Sequence, residues 1–337
     1  MQQRFPCLAL AFLALAAPAH AADYDKYLLD DTSFVVTLNV RQAVAAPLFA
    51  KHYQKQVDGL LKMAEVQGEL KKAGLDPLKD IDRIVLVMGL SSHREEVQAG
   101  QNFVAASSGA FPLVIVQGRF DPAKFHALAE EGVKETRMKA HHAGAAKYYE
   151  TLAGGPTPYP KFMAVVDKNM VVFAAHKDEM EDVLAKAAGK KKTQLKHAAM
   201  QKLLDQRDPK LTFEVLASHD MVVDTSVESV NMVTKVTRRT LEDHGIESIR
   251  GGLTAGDDFN ASAVVTCKQA AKAKELNQLA EAGLKTAIDE AGKVEQLASV
   301  VKFLKSLKMA VNDRTIQLEG QGGGDILQAL FLGLLLG

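Results

Sequence analysis

PLVIVQGRFDPAKFHALAEEGVKE, Pro112 to Glu135, changes character in its middle, and that change points to the fold. The first half, PLVIVQGRF, is strand-like. The second half opens on Asp121, whose side chain can accept from the orphan N–H groups of a first helical turn, and on Pro122, whose fixed φ suits the next position. A strand therefore runs straight into a capped helix. Inside that helix, HALAEEGVK (His126 to Lys134) is echoed by NQLAEAGLK (Asn277 to Lys285) at an offset of 151, that is 277 − 126.

The echo has company. Met163-Ala164-Val165-Val166-Asp167-Lys168 matches Met309-Ala310-Val311-Asn312-Asp313-Arg314 at an offset of 146 (309 − 163), in the same place after the matched helix. Upstream, the alternating strand SFVVTLNV (Ser33 to Val40) corresponds in order to LTFEVLA (from Leu211), and IDRIVLVMG (Ile81 to Gly89) to IESIRGGLTAG (from Ile246). The offsets shrink steadily along the chain, so an internal duplication is the expected cause. The repeated helix is then structural: Leu128, Ala129 and Val133 face a sheet, while Glu130 and Lys134 form an exposed i, i+4 pair.

Hairpins are short, with turns expected at Gly144 and at Asp167 to Asn169, and parallel crossovers are not the dominant pattern. The fold class expected is α+β: two tandem similar modules, each a mainly antiparallel sheet with helices packed on one face. Residues 22–206 form the first module and 207–337 the second, with one shared sheet or two left open. Further helices are expected at Val44–Ala73, ended by Gly74, and at Lys177–Ala188, Ser226–Asp243, Gln269–Glu290, Val294–Leu304 and after Asp325.

MQQRFPCLALAFLALAAPAHAAD combines Arg4, an apolar run from Cys7 to Ala17 and the small-residue pattern Ala19-His20-Ala21. That is a secretory signal peptide over residues 1–21 rather than a membrane span, which needs roughly 20 apolar residues. Export follows, to a periplasmic or secreted location. Removing Cys7 leaves Cys267 alone, so no internal disulfide can form and packing must hold the fold together. The 41 basic and 41 acidic residues cancel, which argues against nucleic acid as a partner. The absence of Trp weakens the usual aromatic signal of carbohydrate or base stacking.

Catalytic motifs are missing: there is no G-x-S-x-G, H-E-x-x-H, P-loop, paired C-x-x-C or complete G-x-G-x-x-G, since GQGGGD from Gly320 fails at its last glycine. His141-His142 has the residue type for a metal, but neighbours in an extended segment point to opposite faces and no further ligand lies close by, so a solvated hairpin is the better reading. Asp30-Asp31 and Asp257-Asp258 could act as paired carboxylates or hold calcium. Both sit beside turn-forming residues before strands, and turn or cap roles account for them. Cys267 shares a strand face with Phe259, Ala261, Ala263 and Val265, as a buried small hydrophobe would. Lys190-Lys191-Lys192 follows the helix-ending Gly189, where cations meet a helix C-terminus favourably. No catalytic residue, cofactor or metal is expected.

Two features stand out. The first module carries two loops, residues 91–110 and 148–160, and loops on a rigid scaffold are where binding sites are commonly placed. At the 146 offset, Met180, Val183 and Leu184 match Ile326, Ala329 and Leu330, whereas outward Glu181 and Lys186 become Leu327 and Leu332 before the chain ends LGLLLG. A helix apolar all round is buried by something. Leu327, Phe331, Leu332 and Leu335 are therefore the candidate interaction surface, serving homo-oligomer formation or peripheral membrane contact.

The leader, the YLLDDTSFVV stretch (Tyr27 to Val36), GLDPLKDIDRI (Gly74 to Ile84) and GRFDPAKFHAL (Gly118 to Leu128) together resemble uncharacterised exported proteins of planctomycete-like bacteria. The resemblance covers residues 24 to 190 and implies export, with no activity to transfer. The function expected is that of an exported, non-enzymatic binding or scaffold protein of the cell envelope. The alternatives are an exported enzyme, a hydrolase before other classes, and a carrier of lipids or other apolar ligands.

Overall fold

The computed structural model of the chain describes residues 24–89, 113–152, 161–219 and 245–326. The twelve strands are β1 (Thr32–Leu38), β2 (Ile81–Gly89), β3 (Leu113–Gly118), β4 (Met138–Ala143), β5 (Ala146–Thr151), β6 (Phe162–Asp167), β7 (Met170–Ala174), β8 (Phe213–Ser218), β9 (Ile246–Ala255), β10 (Phe259–Cys267), β11 (Lys308–Asn312) and β12 (Thr315–Gly322). They form one sheet, in the order β11-β12-β10-β9-β8-β1-β2-β3-β7-β6-β5-β4, and the pairing at the junction of the two halves, β1 with β8, is antiparallel. The question of one sheet or two is answered by that junction. Outward from it the order is β1-β2-β3-β7-β6 on one side and β8-β9-β10-β12-β11 on the other, with β5 and β4 added to the first.

Registers agree as well as order. One row crosses the sheet through Met163, Phe173, Val114, Leu86, Val36, Val215, Gly251, Ala263, Leu318 and Met309. Its ends are the two methionines that open the matched MAV segments. Because opposed residues in antiparallel strands point the same way, this row defines one face of the sheet, and Val35 lies on the other.

The ten helices among the described residues are α1 (Val40–Ala45), α2 (Pro47–His52), α3 (Gln54–Leu61), α4 (Ala64–Ala73), α5 (Pro77–Asp80), α6 (Pro122–Lys134), α7 (Lys177–Ala187), α8 (Ala198–Asp205), α9 (Ala270–Ala291) and α10 (Ala298–Ser306). The tract expected as one helix over Val44–Ala73 is four short ones, broken at Ala46, Tyr53 and Lys62 to Met63. The Asp121 cap is present, accepting from the N–H groups of Ala123 and Lys124 at 3.0 and 3.3 Å. Just before it, Gly118 allows close approach: a Cβ there would lie 2.1 Å from the carbonyl oxygen of Asp80.

Helices lie on both faces in the first half, which corrects the one-face expectation. On the Val35 face, Met180, Val183 and Leu184 of α7, Met200, Leu203 and Leu204 of α8, and Tyr24 and Tyr27 of a 3-10 turn (Tyr24–Tyr27) cover Val35, Val85, Val87, Leu113, Ile115, Val172 and Ala174. Each fully buried aliphatic side chain there contributes about 1.5–3 kcal/mol, making this the main core. On the Val36 face, α6 holds Tyr149 of β5, and α9 packs Leu276 and Ala273 on Ile249, Val265, Ile316, Val311 and Leu318. Among the described residues, no helix is long and apolar enough to cross a membrane.

The halves differ on the Val35 face. Arg250 stands where Val85 does relative to the shared row, Gly252 where Val87 does, Ser262 for Leu113, Gln317 for Val172, Glu319 for Ala174 and Lys308 for Phe162. The first set is buried and the second is exposed or half-exposed. On the Val36 face apolar residues persist: Ile249 for Ile84, Val265 for Val116, Leu318 for Phe173. On β10, β12 and β11 that face is thus a polar surface turned to water, as antiparallel sheets permit, while nearer the junction α8 and Leu211 cover it and Arg250 donates to the Gln206 carbonyl.

Candidate functional site

The repeated helix is the place to begin. His126 and Glu130 are one turn apart on α6, on the side that meets β5. The Tyr149 hydroxyl donates to Glu130 Oε1 at 3.0 Å and lies 3.0 Å from His126 Nδ1, which suits an Nδ1–H donating back to the phenol oxygen. Lys147, two residues along the same strand, forms an ion pair with Glu130 and sits 5.5 Å from the Tyr149 ring centroid. Burial, followed by the Glu130 carboxylate, pushes the Tyr149 hydroxyl above its ordinary range, so it stays a proton donor.

At the 151 offset, α9 carries Asn277 and Glu281. Among the described residues no strand corresponding to β5 lies beside them, and Asn277 Nδ2 donates to Glu281 Oε1 at 2.8 Å. Asn277 is only 9% exposed, and its Oδ1 is a buried acceptor with no hydrogen-bond partner among the described residues. The helix motif is shared, and what it binds is not.

His141 and His142 do point to opposite faces. His141 stacks on Tyr148, ring centroids 5.1 Å apart and planes 15° off parallel, and its Nε2 lies 2.8 Å from Glu150 Oε2. Tyr148 in turn donates to Glu181 Oε1 at 2.8 Å, and burial and that carboxylate push its hydroxyl up. The solvated-hairpin reading therefore holds for His142, which is exposed, and fails for His141. No group of three or more His, Cys, Asp or Glu among the described residues is placed to hold a metal.

Asp30 and Asp31 separate. Asp30 accepts from Lys186 and Lys191, each at 2.9 Å, and from the Gln194 N–H at 3.2 Å. Asp257 and Asp258 form the exposed turn between β9 and β10, as expected, with the Gly256 N–H donating to the Asp258 carbonyl at 2.8 Å. Cys267 is fully buried on the Val36 face with Ile246, Ala273 and Ile316, and burial pushes its thiol up. Lys191 is an ion-pair partner of Asp30 and Asp182, not a purely solvated cation, and Lys192 lines an open hollow of about 440 Å³ together with Asp25, Lys26, Lys186, Thr193 and Gln201.

Leu327, Phe331, Leu332 and Leu335 lie outside the described residues, as do the leader, residues 91–110 and the helix expected over Ser226–Asp243; of the loop expected over 148–160, residues 148–151 are instead strand, the end of β5 paired with β4, and 153–160 lie outside the described residues. Ile326 is the last residue described, and it packs with Leu48 and Phe259 near Leu253 and Ala261, on the Val36 face. Met180, its counterpart at the 146 offset, is buried on the Val35 face. Ile326 and Met180 therefore do not occupy equivalent places. Sequence reasoning missed α8, although Met200, Leu203 and Leu204 have helical spacing, and it missed Tyr149, which only pairing with Met163 brings beside α6. Comparison with known proteins gives no match to a family model, to a curated protein or to a solved structure.

Proposed function

We propose that the chain is an exported, non-enzymatic binding protein of the cell envelope, built from a duplicated module, in which the first copy provides the main core and the second presents a binding platform. The observation that carries this reading is the exchange on the Val35 face: buried Val85, Leu113, Val172 and Phe162 on one side of the β1–β8 junction, and Arg250, Ser262, Gln317 and Lys308 at the corresponding places on the other. A polar surface on a continuous sheet is rigid, because each strand in it is hydrogen-bonded into the sheet. It can meet a protein partner without reordering. Duplication is supported by the common strand order and by the row that ends at Met163 and Met309. Export rests on the leader pattern of residues 1–21.

The test is photo-crosslinking in intact cells with a photoreactive residue at Gln317 or Ser262 on the platform, or at exposed Lys285 on α9 as control. Discrete higher-mass products in the envelope fraction from the two platform sites, and not from the control, are expected. Equal labelling from all three positions, or none from the platform, would discard the reading.

A further inference from the structure

The outermost hairpin of the first half, β4 and β5, is joined to the rest of the sheet by little backbone. β4 and β5 oppose each other through six pairs, and β6 and β7 through five. β5 and β6 share two, Tyr149 with Met163 and Glu150 with Phe162, extended by the Thr151 N–H donating to the Lys161 carbonyl at 2.8 Å. On the other side of the junction the sheet ends at β11, the counterpart of β6, with no such hairpin among the described residues. The strand order common to both halves is therefore complete without β4 and β5.

Side chains fix the hairpin on both of its faces. Tyr148 and Tyr149 are fully buried and point to opposite sides, as neighbours in a strand must. Tyr148 donates to Glu181 of α7 at 2.8 Å on the Val35 face, and Tyr149 donates to Glu130 of α6 at 3.0 Å on the Val36 face. Each carboxylate also meets a lysine, Lys177 at 3.6 Å from Glu181, and Lys147 beside Glu130. Two histidines complete the surroundings: His126 of α6 at the Tyr149 hydroxyl, and His141 of β4, which stacks on Tyr148 and pairs with Glu150, opposite Lys139. The chain enters β4 through Thr136 at φ 58°, left-handed backbone that a β-branched residue adopts only under strain. A short ladder, two hydroxyl–carboxylate contacts and a strained joint thus meet in one element.

We propose that the β4–β5 hairpin is an acid-released arm, latched between α6 and α7 by Tyr149–Glu130 and Tyr148–Glu181, which leaves β6 as the end strand when those carboxylates take up protons. Protonation removes an ionic acceptor from each tyrosine, and it also unbalances charge. With Glu130 neutral, Lys147 and the His126 imidazolium are left together; with Glu181 and Glu150 neutral, so are Lys177, Lys139 and the His141 imidazolium. Hydrogen bonds from Lys147 and then from Tyr149 hold the Glu130 carboxyl below its ordinary range. A carboxyl lowered in this way stabilises the closed arm above its ordinary value, and that contribution is lost as pH falls through the lower one, so release lies on the acid side of about pH 4.

The experiment follows amide hydrogen exchange of the full chain as pH is lowered, each rate divided by the intrinsic rate at that pH, with β3 (Leu113–Gly118) as the internal reference. Between about pH 5 and 3.5 the segment Met138 to Thr151 should lose roughly tenfold in protection while β3 keeps its own. The double variant Glu130→Gln with Glu181→Gln keeps an acceptor at each latch and cannot titrate there. Its hairpin should exchange faster than the parent's at pH 7 and change less than about threefold over the same range. Tyr148→Phe with Tyr149→Phe keeps both rings and removes both hydroxyls, and should raise hairpin exchange about tenfold at pH 7 with β3 unaltered. Equal loss of protection in β3 and the hairpin, a hairpin still protected at about pH 3.5, or a parental acid response in the Gln pair overturns the proposal. If the Gln pair leaves β3 unprotected at pH 7, the Phe pair decides: hairpin exchange unchanged in it overturns the proposal as well.

Discussion

Lys186 illustrates what an ammonium requires in order to leave water. Its side chain is 0% exposed, and it donates to the Leu28 carbonyl at 2.7 Å and to Asp30 at 2.9 Å while pairing with Asp182. All three ammonium protons are used. Burial pushes the Asp30 carboxyl up, but hydrogen bonds from Lys186, Lys191 and the Gln194 N–H outweigh it and hold the carboxyl down to about 2. A depressed carboxyl stabilises the fold above its unfolded value near 4 and loses that contribution as pH falls toward 2. Asp30→Asn should therefore be less stable than the parent in urea titrations at pH 7, with the gap narrowing between pH 4 and 2. A gap of constant size across that range would refute the assignment. The sequence placed Asp30 in a turn and Lys186 on an outward helix face. Neither reading could foresee the other residue, 156 positions away in the chain.

At the scale of elements, local signals were legible and long-range ones were not. Asp121-Pro122 announces the start of α6, and Asp121→Ala should cost about 1 kcal/mol, seen as a lower midpoint in chemical denaturation without a change in slope. An unchanged midpoint would mean the cap contributes nothing. Strand periods and the hairpin turns at Gly144 and Lys168-Asn169 were equally readable, because turn chemistry and alternation act over a few residues. The broken helix over Val40–Ala73 was only partly so: Pro47, at the first position of α2, marks the joint at Ala46, while the joints at Tyr53 and at Lys62 to Met63 carry neither glycine nor proline. The placement of α7 and α8 on the Val35 face was hidden for another reason: an amphipathic stripe says that a helix packs, and is silent about which side of a sheet it packs on. The candidate site shared that limit. HALAEEGVK identified the helix, but the difference between the halves lies in what stands beside it.

For the molecule as a whole, the boundary expected between residues 206 and 207 falls between residues that share one core. α8 before it and Leu216 after it are part of the core built on Val35, Val85 and Leu113, and β1 pairs with β8 through five residues. Unfolding of one half should consequently expose the other. Native-state hydrogen exchange at Ile115 in β3 and Ala263 in β10 is expected to report the same opening free energy, and a much lower value at Ala263 would show two independent units. The central ladder also has a cost in time. β1 ends at Leu38 and its second neighbour begins at Phe213, so 175 residues (213 − 38) must be made before that edge can be paired. At roughly 5–20 residues per second this is on the order of 10–35 s. Throughout that interval a nascent chain carries an unsatisfied strand of Phe, Val and Leu near its front end, and keeping it from foreign pairing falls to whatever escorts the chain.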